Sequence, residues 1–278
     1  MFQGRKLLVA TKHQKELIIG PVLEKVLGVG IQLAQNIDTD TFGTFSGEIK
    51  RLDDALSTAR QKCNAALTNT HYDLAIASEG SFGAHPTLFF SQVNEELVLL
   101  VDKKNNREYF ERVVSLATNS NQADISNEEQ LIAFAKHAQF PSHALILRKS
   151  VADFTEMYKG ITDWDELIKI FHHIKKFSAT VSVETDMRSM FNPMRQAVIK
   201  QATVQLAKRL SNDCPSCNSP GFGVVSNVSG LPCKACGLPT SATLKQVTTC
   251  SFCSFSTNIL FPNNKMHEDP MYCNFCNP

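Results

Sequence analysis

Cysteine is nearly missing from the first 213 residues of this 278-residue chain: Cys63 stands alone there, and the other eight fall in the last 65. Tryptophan occurs once, at Trp164, and no stretch approaches the roughly 20 apolar residues that a membrane-crossing helix needs, so no membrane role is expected. An excess of charge of one sign is missing too. Lys and Arg number 28 against 27 Asp and Glu, and a net charge of +1 gives no general pull toward nucleic acid or an acidic lipid surface. Met1 to Lys6 lead into a short apolar run with no long hydrophobic segment and no small-residue cleavage site, which argues against export. The expected setting is cytoplasmic and reducing, where clustered cysteines read as metal ligands rather than disulfides.

The eight form four Cys-x-x-Cys pairs: Cys214/Cys217, Cys233/Cys236, Cys250/Cys253 and Cys273/Cys276. Two pairs supply the four thiolates that zinc takes in a closed structural site, so two structural zinc ions are expected. Inserts of 15 residues between the first two pairs and 19 between the last two suit ribbons built from consecutive pairs. Spacing leaves the interleaved alternative open, first pair with third and second with fourth. His267 is the only histidine there available to replace a thiolate. The segment is rich in turn-formers and small residues, so metal binding is expected to fold it. It carries Lys234, Lys245 and Lys265 against Glu268 and Asp269, and each tetrathiolate zinc adds about two negative charges. A net acidic module argues against a nucleic-acid partner. A protein partner or a homodimer contact remains open to it.

The rest of the chain is long enough to bury a sizeable core. Lys6 to Ala10 reads as a strand, Glu16 to Leu27 as a helix capped by Gly28, and Ile31 to Leu33 as a second strand. Ile49, Leu52, Leu56, Ala59, Cys63 and Ala66 form a helical stripe, in which Cys63 is a buried thiol. Asp73 to Ala77 reads as a strand running into a loop at Ser78 to His85, where His85-Pro86 marks a turn. A hairpin at 97–114, a helix opened by a Ser126-x-x-Glu129 capping box and a strand at Ala144 to Leu147 follow. This order predicts an α/β or α+β domain with a central mixed sheet over residues 1–150. Residues 151–212 read as a connector with helices at 163–176 and 192–210 and one strand at Thr180 to Val183. The zinc-ribbon module occupies 213–278.

Sites in sheet-centred domains form where strands end in loops. Three such loops here are polar or glycine-rich: Thr11 to Lys15, Asp38 to Glu48 and Ser78 to His85. Lys12 and Lys15 precede a helix N-terminus, which favours an anion. Glu48, Asp53, Asp54 and Glu79 are carboxylates of the kind that hold Mg²⁺ together with substrate phosphates. Gly80 and Gly83 allow the backbone close to a ligand. Farther on, Asp186, Arg188 and Arg195 either clamp an anionic ligand or lock the last helix to the core. His172 and His173 diverge by about 100° on their helix and do not share a metal.

Val9-Ala10-Thr11-x-x-x-Lys15, Gly43-Thr44-Phe45 ahead of a helix with Ala59-Arg60-x-Lys62, and Asp73-Leu-Ala-Ile-Ala-Ser-Glu79-Gly80 together resemble the inosine/xanthosine triphosphate pyrophosphatase superfamily, over the chain as far as Ser115. That resemblance implies phosphate contacts from Thr11 and Lys15 and a Mg²⁺ or Mn²⁺ ligand at Glu79. Where the superfamily has Asn-Pro in the first loop, this chain has Lys12-His13-Gln14. Glu184-Thr-Asp186-Met-Arg188 and Asn192-Pro-Met-Arg195, followed by Cys-Pro-x-Cys, resemble an uncharacterised bacterial family with a C-terminal double zinc ribbon. The expectation is therefore a zinc-stapled hydrolase of nucleoside triphosphates or related phosphoanhydrides, acting through Glu79 and Lys15 with substrate contacts from Thr11, Lys12, Gly80, Arg188 and Arg195 and with Glu48 as a further Mg²⁺ ligand. The alternative is a non-enzymatic binding or scaffold protein that docks a partner through its zinc module.

Overall fold

The structure is a computed structural model, which describes residues 1–35, 37–44, 46–84 and 92–278. Phe45 and the turn at His85-Pro86 lie outside the described residues. The chain divides into two units, Phe2–Leu206 and Ala207–Pro278 with Met1.

The first unit contains two sheets. Strands β1 (Lys6–Val9), β2 (Gly30–Leu33), β3 (Leu74–Ala84), β4 (Gln92–Asp102) and β5 (Arg107–Ser115) form a mixed sheet ordered β2-β1-β3-β4-β5. The β2-β1-β3 pairings are parallel, and β3-β4-β5 is antiparallel. Helices α1 (Glu16–Leu27) and α2 (Ala55–Leu67) make the crossovers, and α1 ends on Gly28 in the left-handed conformation. On one face Leu8, Ala75, Ala77, Leu97 and Leu99 pack with Ala59, Cys63 and Ala66 of α2. The opposite face is sealed as well, since Leu7, Val9, Ile76 and Leu100 have no exposure. Burial raises the Cys63 thiol, whose Sγ lies 3.7 Å from the Leu99 carbonyl, so it behaves as a small core side chain.

Two local expectations change. Helix α2 starts at Ala55, where Asp54 accepts hydrogen bonds from the Leu56 and Ser57 amides, so Ile49 and Leu52 precede it and are exposed. Strand β3 does not stop at Ala77 but continues to Ala84, which puts Ser78 to Gly83 in the sheet rather than in a loop.

The second sheet is antiparallel, ordered β6-β9-β7-β8 from β6 (Gln122–Ile125), β7 (Leu145–Arg148), β8 (Met157–Ile161) and β9 (Val181–Thr185). The strand foreseen near Thr180 is thus central to a sheet of its own. Alternation decides its faces. Ile125, Leu145, Leu147, Val181 and Val183 meet α3 (Glu128–His137) and α4 (Trp164–Lys175), while Gln122, Arg148, Ser182 and Glu184 point the other way. The cap of α3 is Asn127, one residue later than the Ser126 box, and its side chain accepts from the Gln130 amide.

Asn192 and Pro193 open α5 (Pro193–Leu210), with Asn192 Oδ1 accepting from the Arg195 amide at 2.9 Å. Arg195 has no exposure; its Nε donates to Glu96 Oε1 at 2.6 Å, and Glu96 is equally buried. Its Nη1 donates to the Met187 carbonyl. Gly80 lies opposite Glu96 in the ladder, and a Cβ there would sit 2.5 Å from Glu96 Oε1 and 2.6 Å from Arg195 Nη2. Gly80→Ala should therefore cost about 3 kcal/mol by disturbing a buried charge pair, read as a lower urea midpoint with an unchanged slope.

The second unit is a three-stranded antiparallel sheet, β10 (Gly223–Ser229), β11 (Thr243–Thr249) and β12 (Ser256–Leu260), with almost no buried side chain in its strands.

Candidate functional site: a charged cleft and two cysteine tetrads

In the first unit the two sheets face each other across a cleft of about 560 Å³, within the range of small-molecule sites. One wall carries Thr11 and Lys15 after β1, Lys62 of α2, Ser78 to Phe82 of β3 and residues of the 39–51 loop. The other carries Asn121, Gln122, Ile146 and the run Glu184 to Arg188.

Lys15 is buried, and its Nζ donates to the Ser78 carbonyl at 2.8 Å. Among the described residues no carboxylate forms an ion pair with it. Burial, reinforced by the Arg195 charge, pushes its amine down to about 7. Glu79, also buried, is flanked by cations: Lys62 Nζ lies 2.5 Å from Oε1 and Arg51 3.7 Å from Oε2, while Arg51 donates to the Gly80 carbonyl at 3.1 Å. Glu79 Oε1 is sealed from solvent and is held in its ion pair with Lys62. Ser78 lines the cleft, and its buried hydroxyl has no hydrogen-bond partner among the described residues. Burial holds the His13 imidazole down at about 4, hence neutral near pH 7, with Asp40 at 3.5 Å. Arg188 reaches the cleft from the second sheet, paired with the fully buried Asp186 at 2.6 Å and lying over the Phe191 ring.

Thr11, Lys15, Glu79, Gly80 and Arg188 are therefore brought together. Lys12 is not: it is exposed and engaged by Asp38 and Asp40. Arg195 sits behind the cleft wall in its pair with Glu96. Glu48 is held by Lys159, Ser46 and Thr44, Asp53 accepts from Gln61, and Asp54 caps α2. Among the described residues the cysteine tetrads alone gather three or more metal-type ligands. Sequence reasoning put Ser78 at the start of a candidate loop without giving it a role, and gave none to Arg51 or Glu184 either. Ser78 and Glu184 lie on strands whose pairing no local pattern announced, and Arg51 lay in what read as a helix.

In the second unit the cysteines assemble as Cys214, Cys217, Cys250 and Cys253, and as Cys233, Cys236, Cys273 and Cys276. The consecutive pairing suggested by insert length is thus replaced by the interleaved one, and His267 takes no part. The reason is the sheet: β10 and β12 both pair with β11, which carries the first and third knuckles to each other. Sulfurs approach to 3.7 Å for Cys214–Cys253 and Cys217–Cys250, 3.8 Å for Cys233–Cys276 and 3.7 Å for Cys236–Cys273. Four thiolates about 2.3 Å from one tetrahedral zinc are about 3.8 Å apart, so both tetrads fit the ion. Three knuckles share a construction. The amide two residues on meets the first sulfur (Ser216, Ala235, Phe252), and Asn218, Gly237 or Ser254 turns the chain in the left-handed region.

Two outcomes test these sites. Metal analysis should give two zinc ions per chain; Cys217→Ser with Cys253→Ser should lose one of them, whereas consecutive pairing would lose both. For the cleft, the unfolded chain keeps a proton on Lys15 between pH 7 and 10.5 that the folded chain has shed, so this group's contribution to stability rises with pH across that window. Lys15→Met should be more stable than the parent at pH 7 by about 1 kcal/mol or more, with the gap closing toward pH 10 in urea titrations. The same variant should bind inorganic triphosphate at least about tenfold more weakly.

No curated protein matches the chain. Residues 62–278, from Lys62 in the cleft to beyond the last knuckle, match a domain of unknown function, DUF6671, while the Thr11 to Lys15 loop lies outside the match. The chain belongs to the DUF6671 family.

Proposed function

We propose that the first unit binds and hydrolyses a phosphoanhydride of the nucleoside triphosphate class, and that the second is a zinc-stapled module. The observation that carries this reading is the convergence of Lys15, Lys62, Arg51 and Arg188 on one cleft that Ser78 and Glu79 also line. Several cations around one cleft stabilise the charge that develops on a phosphoryl group in transfer. Lys15, lacking a carboxylate partner, is the cation most readily given over to a phosphate. Thr11 and Ser78 offer hydroxyl donors beside it, and Glu79 is placed to orient the attacking water. A Mg²⁺ or Mn²⁺ carried in by the phosphates requires only one or two carboxylates; Glu79 and Asp40 line the cleft, and such an ion neutralises phosphate charge and activates water. The ordering resembles that of the inosine/xanthosine triphosphate pyrophosphatases, where the same Thr-to-Lys loop and strand-borne acid serve these roles.

A second reading makes the protein a binding module. Phe252 and Phe275 occupy the same place in two knuckles and are 61% and 68% exposed, a surface suited to a protein partner.

Phosphate and pyrophosphate release, measured with zinc-loaded protein across nucleoside triphosphates in Mg²⁺ or Mn²⁺, separates the two. The hydrolase reading expects turnover that falls at least about a hundredfold in Glu79→Gln, with the fold intact by circular dichroism. Absence of release from every substrate by folded, zinc-loaded protein would leave the binding reading.

A further inference from the structure

One cation of the cleft is built differently from the rest. Lys15, Lys62 and Arg51 all stand on the first wall, where they lean on the Ser78 carbonyl, Glu79 and the Gly80 carbonyl. Arg188 stands on the second wall. Asp186 closes one edge of its guanidinium: Nε donates to Oδ1 at 3.0 Å and Nη2 to Oδ2 at 2.6 Å. Asp186 has no exposure, and it also accepts from the Arg188 amide at 3.0 Å and the Gly160 amide at 3.1 Å. The Phe191 ring covers one face of the guanidinium at 4.7 Å. Gly160 lies at φ +74°, and a Cβ there would fall 2.8 Å from Phe191 Cζ and 3.3 Å from Arg188 Nη2, so a side chain at this position would displace the ring. A guanidinium held along one edge and over one face is fixed in advance, and its remaining donors are Nη1 and the outer proton of Nη2. Nη1 has no hydrogen-bond partner among the described residues and is not sealed from solvent, in a side chain 19% exposed.

Resting on the hydrolase reading, we propose that Arg188 is the catalytic residue that receives the leaving phosphate oxygen, with Asp186, Gly160 and Phe191 as its positioning residues. In-line displacement sets the attacking and leaving oxygens on opposite sides of phosphorus. The hydrolase reading puts the water beside Glu79 on the first wall, so the leaving oxygen faces the second, where Arg188 stands. The water oxygen bonds to phosphorus as the bridging P–O bond breaks. The bonding pair stays with the leaving oxygen, and the water's proton passes to bulk solvent. Negative charge thus grows on an oxygen that carried little of it beforehand, and an open N–H edge already in place meets that charge without reorganisation. The first-wall cations face oxygens that are charged throughout, so their hold on the substrate is felt in binding as well as in rate.

Steady-state release of phosphate and pyrophosphate, from the nucleoside triphosphate that the zinc-loaded protein turns over fastest, tests the assignment. Arg188→Lys keeps a cation opposite Asp186 but lacks the planar fork, so kcat should fall at least about a hundredfold with KM little changed. Arg188→Ala should fall as far, and should recover part of its rate when guanidinium is added at concentrations that leave the fold intact by circular dichroism. Methylammonium, a point charge, should restore nothing. Gly160→Ala should lower kcat in the same direction by pushing Phe191 and Arg188 aside. A raised KM at unchanged kcat in Arg188→Lys would make Arg188 a ground-state anchor, overturning the assignment while the hydrolase reading stands. So would a folded Arg188→Ala protein that gains nothing from guanidinium, the result expected if the arginine only braces the chain after β9. Turnover of no substrate by the parent protein would remove the hydrolase reading and this assignment together.

Discussion

The cleft exists because one guanidinium is buried in the right place. Arg195, the largest fully buried side chain among the described residues, leaves α5 to meet Glu96 of β4 in the first sheet and the Met187 carbonyl that follows β9 of the second, with the Phe82 ring 5.6 Å away. Taking such a pair out of water costs more than its attraction returns unless the remaining donors are used, and here they are spent on joining two sheets. The loop that presents Asp186 and Arg188 is held at its Met187 carbonyl, and the β3 backbone can pass only because residue 80 has no side chain. Residues that touch no ligand thus decide where the ligand-facing ones stand.

The two units reach stability by different means. The first buries leucines and valines on both faces of its main sheet and under α3 and α4 of the smaller one. The second has three strands with nearly every side chain in contact with water, and among its most buried residues are the leading cysteines of the four knuckles. In such a module, coordination free energy stands in for the hydrophobic term.

What could be read beforehand follows from the range of the interactions involved. Lys6 to Val9, the Glu16–Leu27 helix with its Gly28 cap, the buried Cys63 and the Asn192-Pro193 helix start were legible because periodicity, caps and turns act within a few residues. The lower end of α2 was misjudged because Ile49 and Leu52 continue its apolar spacing by coincidence, whereas Asp54 carries the stop signal. The second sheet was illegible: its pairings join residues 122–125 to 181–185 and those to 145–148, and short strands of mixed polarity advertise no partner. The eight cysteines could be singled out from Cys-x-x-Cys spacing, but which pairs gather into one tetrad depended on the β10-β11-β12 ladder. In the cleft, Lys15 and Glu79 could be proposed from strand ends, while Lys12 and Glu48 looked equivalent to them until Asp38, Asp40 and Lys159 were seen to engage them.

The interleaving of the tetrads has a consequence for the order in which metal enters and leaves. Cys233 and Cys236 lie between the halves of the first tetrad, and Cys250 and Cys253 lie between the halves of the second. Each ion therefore closes a loop containing half of the other's ligands, so the first ion to bind shortens the free chain that the second must gather, and closing a shorter loop costs less entropy. On this topology the second ion would bind somewhat more readily than the first. If both tetrads take zinc, loss of one ion lengthens the chain that the other must hold closed, so each tetrad would support the other.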